Sequence, residues 1–137
     1  MAYITQADIT NVIDAVNLTA MLDDYATGQI NQTVLTNILQ LASDKADALV
    51  SSIYVVPFPP PVPVKIRTAA IIFAAEMLYQ RRLTPEQRNP MSDQADHWRK
   101  ELMDINRGLL SLDYESTRAF TPIVSSAKYN RANTNIY

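Results

Sequence analysis

A chain of 137 residues is long enough for one hydrophobic core and short for two. Its 47% hydrophobic and 19% charged residues belong to a folded globular protein and exclude a disordered one. The absence of cysteine excludes a disulfide framework and thiolate metal sites. The longest apolar stretch, Ala69 to Ala75, falls far short of the roughly 20 residues that cross a bilayer, and Met1 to Asn11 lacks a basic start followed by an apolar run. A protein without membrane contact or export signal is expected.

Charge is unevenly spread. Residues 1 to 64 carry six acids (Asp8, Asp14, Asp23, Asp24, Asp44 and Asp47) against Lys45 alone, whereas residues 65 to 107 carry eight basic and six acidic side chains. Two readings stay open: solvated faces, or complementary flanks on neighbouring copies.

In chain order, Thr5 followed by Asp8 has the pattern of a capped helix start, which predicts a short helix from Gln6 to about Val16. Asn17 and Thr19 suggest a break and a second short turn through Leu22. Asp23 to Gln29, with Gly28, reads as a loop. From Asn31, a candidate cap, Leu35, Ile38, Ala42, Ala46, Leu49 and Ile53 recur every three or four residues and predict an amphipathic helix over 32–54. Asn37, Gln40, Asp44, Lys45, Asp47 and Ser51 form its water face.

Pro57, Pro59, Pro60, Pro61 and Pro63 end that helix and predict a stiff polyproline-type strap over Val55 to Val64. Val64 to Arg82 is apolar around nearly its whole circumference, so it should be the most buried helix, with Arg81 and Arg82 at the negative end of its dipole. Thr84, Pro85 and Glu86 mark a short turn. Ser92 is the expected cap of a last helix carrying Ala95, Trp98, Leu102, Ile105, Leu109 and Leu112, with Trp98 expected in the core and Gly108 starting the unwinding. The fold class is therefore all-α, a compact bundle of about four helices over residues 1–112.

Beyond Asp113 the helical period is lost. Phe120, Ile123, Val124, Tyr129 and Tyr137 are too apolar for plain disorder, which predicts a partner-gripping extended arm over residues 113–137.

Catalytic signals are missing. His97 is the only histidine, and the two glycines permit no phosphate-cradling loop. Asp23, Asp24 and Asn31 do not match the spacing of a calcium loop and are read as solvated. Lys65, Arg67, Arg81, Arg82, Arg88, Arg99, Lys100 and Arg107 are offset by Glu76, Glu86, Asp93, Asp96, Glu101 and Asp104, which argues against specific duplex recognition. The expectation is a non-enzymatic protein without metal or cofactor.

The order of parts is distinctive. A Met1-Ala2-Tyr3-Ile4-Thr5 start precedes a helix running Ala48 through Tyr54 and a proline strap with Pro57, Val62 and Pro63. A buried helix ending Leu78-Tyr79-Gln80-Arg81-Arg82 and a closing helix with Gly108 follow. Over about residues 1–112 this resembles the head-tail connector, or head-completion (adaptor), proteins of long-tailed phages and Mu-like prophages. Tyr129-Asn130-Arg131 is loosely similar to the aromatic-arginine endings seen there. The loop from Ala26 to Gln32 departs in having few acids, so the resemblance lends no ion site to it.

The resemblance implies a virion protein at the head-tail interface, present in the host cytoplasm during assembly. Its subunits would form a homo-oligomeric ring of about twelve copies between the portal protein and a tail-side connector or tail-completion protein, with packaged DNA passing non-specifically through the centre. On that expectation Asp8 and Asp14 line the channel or meet the next copy, and Phe120, Ile123, Val124, Tyr129, Arg131 and Tyr137 bind a partner. The alternative is a DNA-binding helical module such as a packaging-recognition subunit.

Overall fold

Five helices, joined without strands among the described residues, make up the fold: α1 (Gln6–Thr10), α2 (Ala15–Leu22), α3 (Gln32–Val50), α4 (Val64–Gln80) and α5 (Ser92–Asn106). This computed structural model describes residues 2–110 and Leu112. The expected arm over 113–137, including Phe120, Ile123, Val124, Tyr129, Arg131 and Tyr137, lies outside the described residues.

The centre is α4. Ile66, Ala69, Ala70, Phe73, Ala74, Ala75 and Leu78 are all fully buried along it, and α1, α2, α3 and α5 each pack against it. Its alanines keep the helix thin, so neighbours approach closely, while Phe73 fills the space between them. The second large contact is between α3 and α5. Leu35, Ile38, Leu39, Ala42, Ala46 and Val50 form the buried stripe of α3; Ala95, Leu102 and Ile105 form that of α5.

Several boundaries differ from the expected ones, each for a local reason. The first helix ends at Thr10, not near Val16, because Asp14 caps a separate helix: its carboxylate accepts from the Asn17 backbone N–H at 2.8 Å and from Asn17 Nδ2 at 3.0 Å. Asn17 and Thr19, expected to break the chain, therefore lie inside α2. The long helix stops at Val50 and not at 54. Ser52 N–H leaves the helical ladder and donates to Asn106 Oδ1 at 3.1 Å, joining the ends of α3 and α5.

Ser92 begins α5 but does not cap it. Asn89 organises that entry: its Oδ1 accepts from Met91 N–H at 2.9 Å, and its Nδ2 donates to the Glu76 carbonyl at 2.9 Å and to Gln80 Oε1 at 3.2 Å. One buried amide thus fixes the turn between α4 and α5. At the other end Gly108, with φ +81, donates to the Ile105 carbonyl, and Leu109 donates to that of Asp104, a Schellman stop four residues before Leu112 is buried again. The turn at Thr84 forms as expected, with Gln87 N–H donating to the Thr84 carbonyl at 3.0 Å and Thr84 N–H to Gln87 Oε1 at 2.9 Å.

The proline segment bends instead of running as one extended strap, and its Val56–Pro57 and Pro60–Pro61 peptides are cis. Phe58 anchors it in the core, edge-on to Tyr3 at 6.5 Å and tilted against Tyr54 at 5.9 Å between ring centroids. Trp98, expected in the core, sits at its margin: it is half-buried, beside exposed His97.

This arrangement separates two aromatic substitutions. Phe73→Ala opens a cavity at the crossing of helices and should cost about 3 to 5 kcal/mol, whereas Trp98→Ala should cost clearly less because water already reaches part of the indole. Urea unfolding of both variants checks this; equal losses would place Trp98 as deep as Phe73.

Candidate functional site

Two features stand out from the helical body. One is a cleft of about 450 Å³ between α3 and the proline segment, lined by Asp44, Asp47, Ala48, Val56 and Pro57. The other is the loop from Asp23 to Ile30 that joins α2 to α3.

Asp47, which lines the cleft, is tied to the amino terminus. Tyr3 crosses α3 and donates its backbone N–H to Ser43 Oγ at 3.0 Å. Its hydroxyl donates to the Asp47 carboxylate, 2.8 and 2.7 Å from the two oxygens, and accepts from Phe58 N–H at 2.9 Å. One phenol therefore ties three segments distant in sequence. Asp47 is only 8% exposed, a correction to its expected place on the water face of the helix. Leu39, Ser43 and Asp47 follow each other at four-residue spacing along one line of α3, so Asp47 falls on the buried edge of the stripe. Burial pushes the Asp47 carboxyl above its ordinary range, outweighing the Tyr3 hydrogen bond that favours the charged form. Burial, then the hydrogen bond to Asp47, raise the Tyr3 hydroxyl likewise.

Carboxylates also shape the loop. Asp23 Oδ1 accepts from Thr27 N–H and Oδ2 from Gly28 N–H, both at 2.8 Å, and these bonds hold its carboxyl below the usual range. Asn31 N–H donates to the Leu22 carbonyl at 2.8 Å and closes the loop at its base. Asp24 is clamped by Arg81, by Arg82 at 3.3 Å and by Asn31 Nδ2 at 3.1 Å. Desolvation pulls its carboxyl upward, but the hydrogen bonds from Arg81 and Asn31 and the two guanidinium charges leave it lowered. The arginines expected to serve the dipole of their own helix thus reach across to α2, where they also donate to the Met21 and Ala20 carbonyls at 3.3 Å. Both loop carboxylates, expected to be solvated, accept from protein donors instead.

Asp8 and Asp14, expected to line a channel or an intersubunit contact, each work locally. Asp8 accepts from Thr5 N–H at 2.9 Å and lies 3.6 Å from Arg67; Asp14 caps α2. The acidic and basic halves of the chain meet within one molecule: Asp8 with Arg67, Asp24 with Arg81 and Arg82, Lys45 with Glu76 at 3.9 Å. Lys65 pairs with Glu101 at 3.5 Å, and Arg99 with Glu76 at 2.7 Å and with Asp96. A basic face for a nucleic-acid backbone is largely neutralised by these pairs. Among the described residues no three His, Asp or Glu side chains converge as a metal site, and no helix is long and apolar enough to cross a membrane.

The geometry is that of a small helical protein whose polar groups are spent on holding its own segments in place. The chain matches the family described as Bacteriophage Mu, Gp36 over residues 3–128, and it belongs to that family. The match continues past Leu112, so the family includes much of the carboxy-terminal segment. No curated protein matches the chain.

The buried pair gives a pH test with a definite sign. Because the folded Asp47 carboxyl titrates above its unfolded value near 3.9, the native state binds the extra proton, and stability falls as pH rises between those two values. Asp47→Asn keeps an acceptor for Tyr3 and should equal or exceed the parent at neutral pH, with the difference vanishing in acid. Tyr3→Phe strands Asp47 and the Phe58 N–H and should cost about 1 to 3 kcal/mol. Thermal melts across pH decide; an Asp47→Asn variant much weaker than the parent at neutral pH would mean the charge is stabilising.

Proposed function

We propose that this chain is a structural subunit of a phage neck, the head-tail connector that joins the portal to the tail. The observation that carries the reading is membership of a phage Mu family by a chain that folds as one helical body. That much marks a phage structural or assembly protein. Its connector role is the more particular step, and the order of helices, proline segment and Arg81-Arg82 pair supports it.

In this reading the protein acts by assembly and not by catalysis. Subunits form a ring, with about twelve copies matching the symmetry of a portal, and DNA passes through without being read. Pairing of the basic side chains within the subunit suits a passage that must not grip phosphates, since unpaired arginines on the channel wall would bind DNA and slow ejection. The carboxy-terminal residues, with Phe120, Ile123, Val124, Tyr129, Arg131 and Tyr137, are then the segment that grips the portal or an adjacent subunit, and the tail-side protein meets the opposite rim. The protein would reside at the head-tail interface of the virion and in the host cytoplasm before assembly.

Electron microscopy of the purified protein, alone and mixed with its portal, tests this directly. Rings, or a ring-shaped layer added to the portal, are the expected result. A protein that ignores the portal but binds duplex DNA, with affinity falling steeply as salt rises, would instead be a packaging-recognition module.

A further inference from the structure

The loop that Asp23 and Asp24 hold in place presents Tyr25 at its tip, 78% exposed and without a ring contact or hydrogen bond among the described residues. Ala26 takes a left-handed conformation at φ +56 and Gly28 at φ +79, so the backbone is committed to this shape. Arg82 pairs with the preceding residue, Asp24, and its side chain remains 45% exposed. An exposed aromatic on a loop whose backbone is already held, with an arginine on the preceding carboxylate, has the composition of an interface anchor, since the backbone that carries it need not be ordered on binding.

The cleft on the other half of α3 has the matching chemistry. Ala48, Val56 and Pro57 offer apolar walls of a size to take one aromatic ring. Asp44 is exposed on its rim, with Oδ1 accepting from Gln40 Nε2 at 2.8 Å and no donor at Oδ2 among the described residues. In its lining, both oxygens of Asp47 share the single Tyr3 hydroxyl. The cleft therefore has apolar surface for a ring, acceptors for a phenol O–H, and negative charge for a guanidinium. We propose that the Tyr25 loop of one copy of this chain seats in the Asp44–Pro57 cleft of the next, with Arg82 facing Asp44.

A molecule cannot satisfy itself in this way. The loop is tied to the start of α3 at Asn31, and the cleft opens around Asp47, 16 residues on, which at 1.5 Å per residue is roughly 24 Å along the helix. Knob and hole at opposite ends of one rod join head to tail. Such a contact is heterologous, and it closes into a ring when successive rotations complete a circle, which a two-fold contact between like surfaces cannot do. The inference deepens the proposed ring and rests on it.

The absence of cysteine makes the test clean. Single-cysteine proteins Ala26→Cys, which leaves Tyr25 in place, and Ala48→Cys, both at exposed positions, are mixed and treated with a short bismaleimide, and the products are separated by mass. Mixed dimers should dominate, each protein alone should give few, and a chain bearing both substitutions should give a ladder. Tyr25→Ala, with helicity and melting checked, should weaken self-association on the order of tenfold or more in sedimentation. Rings seen by microscopy together with like-with-like cross-links, or with unchanged association of Tyr25→Ala, would overturn this contact and leave the ring standing. A chain that stays monomeric at every concentration and on the portal would overturn both.

Discussion

Everything in this fold is arranged around a helix that cannot face water. From Ile66 to Leu78, α4 buries apolar side chains in every direction, so it must be enclosed, and the four other helices are the enclosure. Exposing it would forfeit about 25 cal/mol for each Å² of apolar surface, so that roughly 100 Å² already outweighs a surface ion pair. The charged groups therefore do not hold the fold together so much as decide which segment lies where. Asp24 with Arg81 and Arg82 brings the end of α4 to the loop before α3, and Tyr3 with Asp47 and Phe58 brings the amino terminus and the proline segment to the far half of α3.

That division explains what could be read from the sequence. Periodic burial is a signal repeated many times along a helix, and it placed α3, α4 and α5 and singled out α4 as the central one. Single polar contacts are written once. Nothing local distinguishes Asp14 as a cap from Asp14 as a helix residue until the chain is seen to turn at Ile13, and the break moved accordingly. Asp47 did leave a trace, one turn past Ser43 and two past Leu39 on the same line, but a carboxylate at the margin of a stripe reads as solvated unless a donor is known. The donor was Tyr3, more than forty residues away. Phe58, the lone aromatic among prolines, was equally visible and equally silent without the pocket that receives it.

The candidate site left little trace in the sequence. The balance of charge over residues 65–107 was visible there, and the pairing of Lys65, Arg67, Arg81, Arg82 and Arg99 is how that balance is arranged. Asp14 caps α2 and Asp8 closes the capping box that Thr5 opens, a use to which acidic residues near helix starts are suited. The loop at Tyr25 and the cleft at Asp44 gave no pattern in the sequence, because each is made by residues brought together by folding.

A protein of this kind is defined by what fails to assemble without it. The most direct measurement is electron microscopy of particles made by a phage that lacks this chain and is otherwise intact. Separate tails and unjoined heads, restored to whole virions when the purified protein is added back, are expected of a neck component. Joined, infectious virions in normal yield would contradict a role at the head-tail junction.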